Sequence, residues 1–241
     1  MAKQKEIREV NECVIFIHGL GRTPRSFRRM RKEIDAKGFT TINISYPSTK
    51  HCIEELLERI RPQIQNAFVE SFDKVHFVVH SLGGIMLRLF LSRYKLKNLG
   101  RVVMLGTPNQ GSRLADSLSK SKICRAFCGP ALSELGTGSE SIIHKFGIVD
   151  FELGVIAGTR SLNPIFSFII GDECDGKVSV KETYVQNMSD FLTVKRSHTF
   201  MMCTSDVIEY TINFLNFGVF IGQGRRPETT GKLSEEIVNA S

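Results

Sequence analysis

Ser81 has the local sequence that a nucleophilic serine requires. It lies in the segment VHSLGG at 79–84, between an apolar run at 75–79 and a segment with helical spacing at 85–91. A serine at a tight strand-to-helix turn, with small residues just after it, presents its hydroxyl above the sheet and aims the next backbone N–H at a substrate. The pattern therefore predicts a nucleophile elbow and serine hydrolase chemistry.

His198 is the candidate general base. A serine hydroxyl needs a base within hydrogen-bond distance to become nucleophilic at neutral pH, and at such an elbow the partners follow the serine in the order Asp or Glu, then His. His198 comes after an apolar run and before the last predicted helix, which places it on a loop at the sheet edge. The other five histidines precede the candidate acid in the chain.

Asp175 is the candidate acid that orients this base. It is followed by Gly176, and an acid before a glycine suits a turn that leaves the carboxylate free to reach an imidazole. The same dipeptide is also typical of a plain hairpin turn. Asp172 and Glu173, in the same loop, are alternative acids.

Backbone N–H groups must stabilise the oxyanion that forms when the serine attacks. Leu82 directly follows the serine and supplies one candidate donor. The second is expected from the loop His18–Gly21, after the first apolar run, where glycines let the backbone approach a substrate. Leu20 is our choice within this loop, and an ordinary glycine turn is the alternative interpretation.

Apolar runs and helical patterns alternate along the chain, and these elements must position the candidate site. Strands are predicted at 13–17, 41–46, 75–79, 101–105 and 151–158. Strands that alternate with amphipathic helices indicate a parallel sheet with helices on both faces. The carboxyl ends of such strands meet at one edge, where ligands bind.

The second half of the chain is less regular. Residues 112–150 carry short helical patterns without a strong strand, which predicts a cap or lid insertion. The segment 166–170 fits either a strand or a buried loop, whereas 182–185 and 191–194 are predicted as short strands. We expect a single α/β domain over 1–224 and a polar tail over 225–241.

Composition and charge narrow the function classes. The first residues are charged, no apolar run approaches the ~20 residues of a membrane span, and we expect a cytoplasmic protein with six reduced cysteines. No cofactor or metal motif is present, so none is expected. The net charge is +7, with a basic cluster at 22–32. This cluster indicates either a solvated helix face or contact with an anionic membrane surface or substrate group; no nucleic-acid motif accompanies it.

Taken in order, five motifs resemble the α/β-hydrolase superfamily, and within it the lipase and esterase branch, including GPI inositol-deacylase-like and small bacterial triacylglycerol-lipase-like proteins. They are FIHGLG at 16–21, HSLGG at 80–84, LGTPNQGS at 105–112, DGKV at 175–178 and SHT at 197–199. The resemblance implies a three-layer sandwich with a mostly parallel central sheet and a small cap. It also implies that Ser81, Asp175 and His198 match the family triad, and that Leu20 and Leu82 match its oxyanion hole.

One residue departs from this family pattern. The elbow usually begins with glycine two residues before the serine, and this chain has Val79 there. A β-branched residue at that place is expected to crowd the elbow helix.

These observations predict a carboxylic-ester hydrolase that acts on a small acyl ester or lipid through an acyl-enzyme intermediate. Thioester hydrolysis or acyl transfer on the same triad is the first alternative. A non-catalytic binding protein that keeps the fold is the second.

Overall fold

A six-stranded sheet forms the centre of the protein. The computed structural model describes residues 11–69 and 72–221, and its strands take the order β2-β1-β3-β4-β5-β6. They are β1 (Glu12–Ile17), β2 (Thr40–Ile44), β3 (Lys74–His80), β4 (Leu99–Leu105), β5 (Leu153–Gly158) and β6 (Asp190–Val194). All neighbouring pairs of these strands run parallel. The expected α/β-hydrolase architecture is therefore confirmed.

Helices cover both faces of the sheet. They are α1 (Arg28–Asp35), α2 (Ile53–Val69), α3 (Leu82–Arg93), α4 (Arg113–Ser119), α5 (Lys122–Cys128), α6 (Ala131–Glu134), α7 (Pro164–Ile170), α8 (Val180–Thr183) and α9 (Ser205–Phe217). The first and last helices share one apolar cluster, and α2 and α3 share the other. Three layers result, with a core on each side of the sheet.

The interior strand β1 is apolar at every position after Glu12. Cys13, Ile15 and Ile17 pack in the cluster on the α2 and α3 face, whereas Val14 and Phe16 pack in the cluster on the α1 face. Successive side chains of a strand point to opposite faces, so a strand covered on both sides must be apolar at every position.

Residues 112–150 add a helical layer that contributes no strand to the sheet. Ser112 and Ser121 cap the N-termini of helices α4 and α5. Their hydroxyls accept hydrogen bonds from the backbone N–H groups of Ala115 and Cys124. The apolar side chains of Leu132, Leu135 and Ile142 are buried in the same cluster as those of α2 and α3. The segment therefore packs onto the main domain through apolar contacts.

Two segments differ from the sequence predictions. Residues 166–170, whose sequence fits either a strand or a buried loop, lie in helix α7. This helix begins with Pro164, and the side chain of the preceding Asn163 accepts hydrogen bonds from the N–H groups of the first turn. Residues 182–185 are wrongly predicted as a strand. Thr183 is the last residue of α8, and a capping box formed by Ser179 and Glu182 stabilises the N-terminus of this helix. In both segments local capping outweighs an apolar or β-branched pattern. The strand at 191–194 is confirmed as β6.

The predicted polar tail at 225–241 lies outside the described residues. None of the helices within 11–69 and 72–221 combines the length and the apolar character that a membrane crossing needs.

Candidate active site

The turn between β3 and α3 holds Ser81 in a strained conformation. Its φ is 53° and its ψ is −122°, in a region that residues with side chains rarely adopt. The backbone N–H of Ser81 donates to the carbonyl of Leu105 at 3.0 Å, which ties the turn to the end of β4. Strain of this kind persists only where the surrounding structure holds it, and it is concentrated at functional sites.

Glycines after the serine allow α3 to approach the sheet. A Cβ atom on Gly83 would lie 2.2 Å from the carbonyl oxygen of Ile17, and one on Gly84 would lie 2.2 Å from Oγ1 of Thr107. Val79, where the family usually has glycine, is fully buried in the apolar cluster that α3 shares. The close approach therefore takes place at Gly83 and Gly84, and Val79 is accommodated as a core side chain.

Asp175 and His198 form a buried pair. His198 Nδ1 lies 2.7 Å from Asp175 Oδ2, and the backbone N–H of His198 donates to the Asp175 carbonyl at 3.0 Å. The other carboxylate oxygen, Oδ1, accepts from the N–H groups of Lys177 and Val178 at 2.9 and 2.8 Å. Both carboxylate oxygens are thus occupied, and His198 is bonded to Asp175 through its ring and through its backbone.

The alternative acids face elsewhere. Asp172 pairs with Arg113 at 2.7 Å and with Lys181 at 3.4 Å, and Glu173 is exposed. Among the three acids of this loop, the structure brings Asp175 to His198.

Ser81 and His198 line one cavity of about 280 Å³. Leu20 borders the same space, so the elbow, the imidazole and the loop after β1 converge there. The cap segment supplies the apolar part of the lining: Leu114, Ala115, Leu118, Phe127, Leu132 and Leu135. An apolar wall beside a serine and a histidine suits the acyl part of a substrate.

The backbone amides of Leu20 and Leu82 have no acceptor within the described part of the chain. Leu82 is the first residue of α3, where an N–H has no partner within its own helix. Both amides are therefore available to a ligand oxygen.

The loop that carries Leu20 is fixed by an aromatic contact. The ring of His18 stacks on Tyr46 at 4.3 Å between centroids, and the Tyr46 hydroxyl donates to the His18 carbonyl. Burial lowers the pKa of His18, which keeps this imidazole neutral beneath the loop.

Two further residues at the site were not identified from the sequence. His80 Nε2 lies 3.0 Å from the carbonyl oxygen of His198. Gly106, at φ 55°, lies against the acid–base pair, since a Cβ there would come within 3.0 Å of Asp175 Oδ2. The glycine lies in the LGTPNQGS motif, but only the fold reveals what it touches.

The basic cluster at 22–32 divides in the structure. Arg22 lines the cavity and donates from Nη2 to the carbonyl of Thr199 at 3.1 Å. Arg29 donates to the Cys203 carbonyl at 2.7 Å, and Arg31 pairs with Asp35 at 3.5 Å. The cluster therefore contributes one side chain to the site.

A family model described as palmitoyl protein thioesterase matches residues 13–145, more than half of the chain. The matched segment includes Leu20, Ser81 and Leu82 and ends before Asp175 and His198. No curated protein matches the chain at a significant level.

Solved structures of lipases and esterases share the fold. The mature lipase BlEst2 of Bacillus licheniformis is 21% identical, with a TM-score of 0.66 over 87% of this chain and 93% of that one. Phospholipase PlaB of Legionella pneumophila is 17% identical, with a TM-score of 0.62 over 78% of this chain and 54% of that one. The metagenomic carboxyl esterase MGS0156 is 16% identical, with a TM-score of 0.61 over 78% and 65% of the two chains. At these identities the likeness establishes the fold, and the chain spans about half of the phospholipase.

Proposed function

The chain belongs to the palmitoyl protein thioesterase family of α/β-hydrolases, and from that premise we propose that it is a serine hydrolase that cleaves carboxylic acyl esters through an acyl-enzyme intermediate. The observation that carries the proposal is the buried pair of His198 and Asp175, 2.7 Å apart, on a cavity that Ser81 also lines. This combination supplies a base, its orienting acid and a hydroxyl in one place.

His198 takes the proton of Ser81 in the first step. A carboxylate only accepts hydrogen bonds, so the contact with Asp175 assigns the proton of the neutral imidazole to Nδ1. Nε2 is then the free base, as general-base catalysis at a serine requires. Asp175 holds this tautomer and stabilises the imidazolium that forms.

The serine oxygen attacks the acyl carbonyl, and the N–H groups of Leu20 and Leu82 stabilise the resulting oxyanion. His198 then protonates the leaving alcohol, and the acyl group stays on Ser81. In the second half, His198 activates a water molecule that releases the acid and restores the serine.

Thioester hydrolysis is the second candidate, because the matched family is described as a palmitoyl protein thioesterase. The same triad serves both bonds, and only the leaving atom differs. The apolar cap side chains that line the cavity support an acyl substrate in either case.

Labelling with a fluorophosphonate probe tests the proposed nucleophile. We expect one covalent adduct on Ser81, mapped by peptide mass spectrometry, and no adduct in Ser81→Ala. Ser117→Ala, a half-buried serine on α4 that does not line the cavity, is the matched control and should label like the wild type. An unlabelled wild type, or esterase activity retained by Ser81→Ala, would overturn the assignment.

Substrate competition then separates the reactions. An acyl ester, the thioester of the same acyl group and an alternative alcohol acceptor are offered together, and the products are quantified. The proposal expects free acid as the main product, with the ester consumed faster. Preferential consumption of the thioester favours the second candidate, and a new ester of the added alcohol indicates acyl transfer.

A further inference from the structure

We propose that Arg22 and Lys177 form an anion subsite for the leaving group, so that this hydrolase prefers acyl substrates whose alcohol or thiol carries a phosphate group. The inference rests on the proposed function, since it names the substrate class of the same cavity. It concerns the charge of the substrate and leaves open whether the cleaved bond is an ester or a thioester.

Two cationic side chains line the cavity. Arg22 comes from the loop after β1, and Lys177 comes from the turn that carries Asp175; both side chains border the space that Ser81 and His198 line. None of the described residues that line this space is an aspartate or a glutamate. A ligand in the cavity therefore meets two cations and no anion.

Among the described residues, Asp175 acts on Lys177 through its charge but does not form an ion pair with it. Within residues 11–69 and 72–221, neither Arg22 nor Lys177 forms an ion pair. Other arginines of this structure are paired, for example Arg113 with Glu182 and Arg196 with Asp206. The nearest acid in sequence, Asp175, is buried and already bonded to His198.

The two cations also act on each other. Desolvation and, to a smaller extent, repulsion by the charge of Arg22 lower the pKa of Lys177, whereas Asp175 and Cys128 act in the opposite direction. An anion between the two side chains relieves this repulsion, because each charge then has an opposite partner. The two side chains therefore suit a doubly charged group such as a phosphate monoester.

Both cations are tied to the segments that carry His198 and Asp175, and both border the cavity that His198 lines. Arg22 donates to the carbonyl of Thr199, the residue after His198. The backbone N–H of Lys177 donates to Asp175 Oδ1. The leaving oxygen or sulfur must meet His198 to be protonated, so its substituent lies beside these side chains, while the apolar cap residues remain for the acyl chain.

Matched substrate pairs test the subsite. The first pair is 1-decanoylglycerol and 1-decanoylglycerol 3-phosphate, and the second is decanoyl-pantetheine and decanoyl-4′-phosphopantetheine. Each pair differs only in the phosphate group, and the readout is the ratio of kcat/KM for the phosphorylated member to that for the neutral member. We expect a ratio of roughly ten or more in the wild type, as a charge-assisted contact provides.

Variants assign the preference to the two side chains. Lys177→Gln and Arg22→Gln should each lower the ratio severalfold, and the double variant should bring it close to one. Lys177→Glu combined with Arg22→Gln leaves a net negative subsite and should reverse the preference, so that decanoylcholine becomes better than the phosphate ester. Arg28→Gln, an exposed arginine that does not line the cavity, is the matched control and should keep the wild-type ratio.

The outcomes separate this inference from the proposed function. Hydrolysis of both members at equal rates in the wild type overturns the anion subsite and leaves the hydrolase intact. A ratio that stays constant while both activities fall in the variants also overturns it, because the side chains then only support the fold. No hydrolysis of any member, with no labelling of Ser81, overturns the proposed function itself. A preference seen with lysolipid in vesicles but absent with the soluble pantetheine pair points to the membrane surface and contradicts the subsite.

Discussion

His80 Nε2 lies 3.0 Å from the carbonyl oxygen of His198, so the residue before the proposed nucleophile holds the backbone of the proposed base. A carbonyl oxygen only accepts, which assigns the proton of His80 to Nε2. The rings of the two histidines are 4.6 Å apart between centroids. His80 is thus a positioning residue that links the elbow to the loop of His198.

Loss of the His80 hydrogen bond should lower kcat. We expect a fall of roughly tenfold in His80→Leu, since the loop of His198 is then free to move away from the geometry that proton transfer requires. His80→Gln keeps a donor at a similar distance and should recover most of the rate. Steady-state kinetics on a short-chain ester, with kcat and KM resolved, checks both variants. An equal loss of kcat in His80→Leu and His80→Gln would indicate that His80 acts through packing instead of through its hydrogen bond.

Burial of His80 should make the fold less stable in acid. Burial, with a smaller contribution from the positive charge of a protonated His198, lowers the pKa of His80 well below the usual value for histidine. The unfolded chain therefore takes up a proton below about pH 6.5 that the native state does not bind. The free energy of unfolding contributed by this group is complete above that pH and falls as the pH drops.

Urea unfolding of the wild type and His80→Gln between about pH 7 and about pH 5 measures this effect. The wild type should lose more stability than the variant, by up to about 1.4 kcal/mol per pH unit for one proton. His18 and His76, whose pKa values are also lowered by burial, remain in both proteins and cancel in the difference. Parallel stability curves would contradict the prediction.

Replacement of the proposed acid should remove most of the activity. Asp175→Asn leaves a neutral group that can donate to Nδ1 of His198 and so favours the wrong tautomer, and we expect kcat to fall by roughly 10⁴. Asp172→Asn is the matched control in the same loop. It breaks partly exposed pairs with Arg113 and Lys181, which should cost about 1 kcal/mol of stability and leave kcat near the wild-type value. The reverse order of effects would make Asp172 the acid.

The preference for acyl chain length should change when Ala115 is replaced by a larger residue. This residue lines the cavity from α4 and is buried in the core. Ala115→Leu adds three carbon atoms to that wall, so we expect the ratio of kcat/KM for a decanoyl ester to that for a butyryl ester to fall roughly tenfold. Ser133→Leu adds a similar group on the exposed side of α6 and should leave the ratio unchanged. A ratio unaffected by Ala115→Leu would show that the chain binds elsewhere.

The fold was largely predictable from the sequence because a strand that is buried on both faces appears there as a continuous apolar run. The run at 13–17 is apolar at every position, and the strand packs in both clusters. Helices α7 and α8 were missed because they depend on a few capping contacts, such as the Asn163 side chain with the amides of Ile165 and Phe166. Short elements of this kind are decided by side-chain hydrogen bonds that a periodicity count does not include.

The site was predictable only in part for a similar reason. The elbow is a local motif, so Ser81 could be chosen from its neighbours alone. The contacts of Gly106 with Asp175 and of Arg22 with Thr199 join residues that are far apart in sequence. No spacing rule within one segment reveals such contacts.

The distribution of the site over the sheet has a consequence for assembly of the protein. The bond between Asp175 and His198 spans 23 residues, whereas the bond between His80 and His198 spans 118 residues and bridges β3 to the loop after β6. The bond between Asp175 and His198 can form within the C-terminal part of the chain. The bond between His80 and His198 requires that β4 and β5 have already taken their places between β3 and β6. Contacts of such long sequence separation form slowly. Recovery of turnover after dilution from denaturant therefore reports the last stage of folding, after helix content has returned.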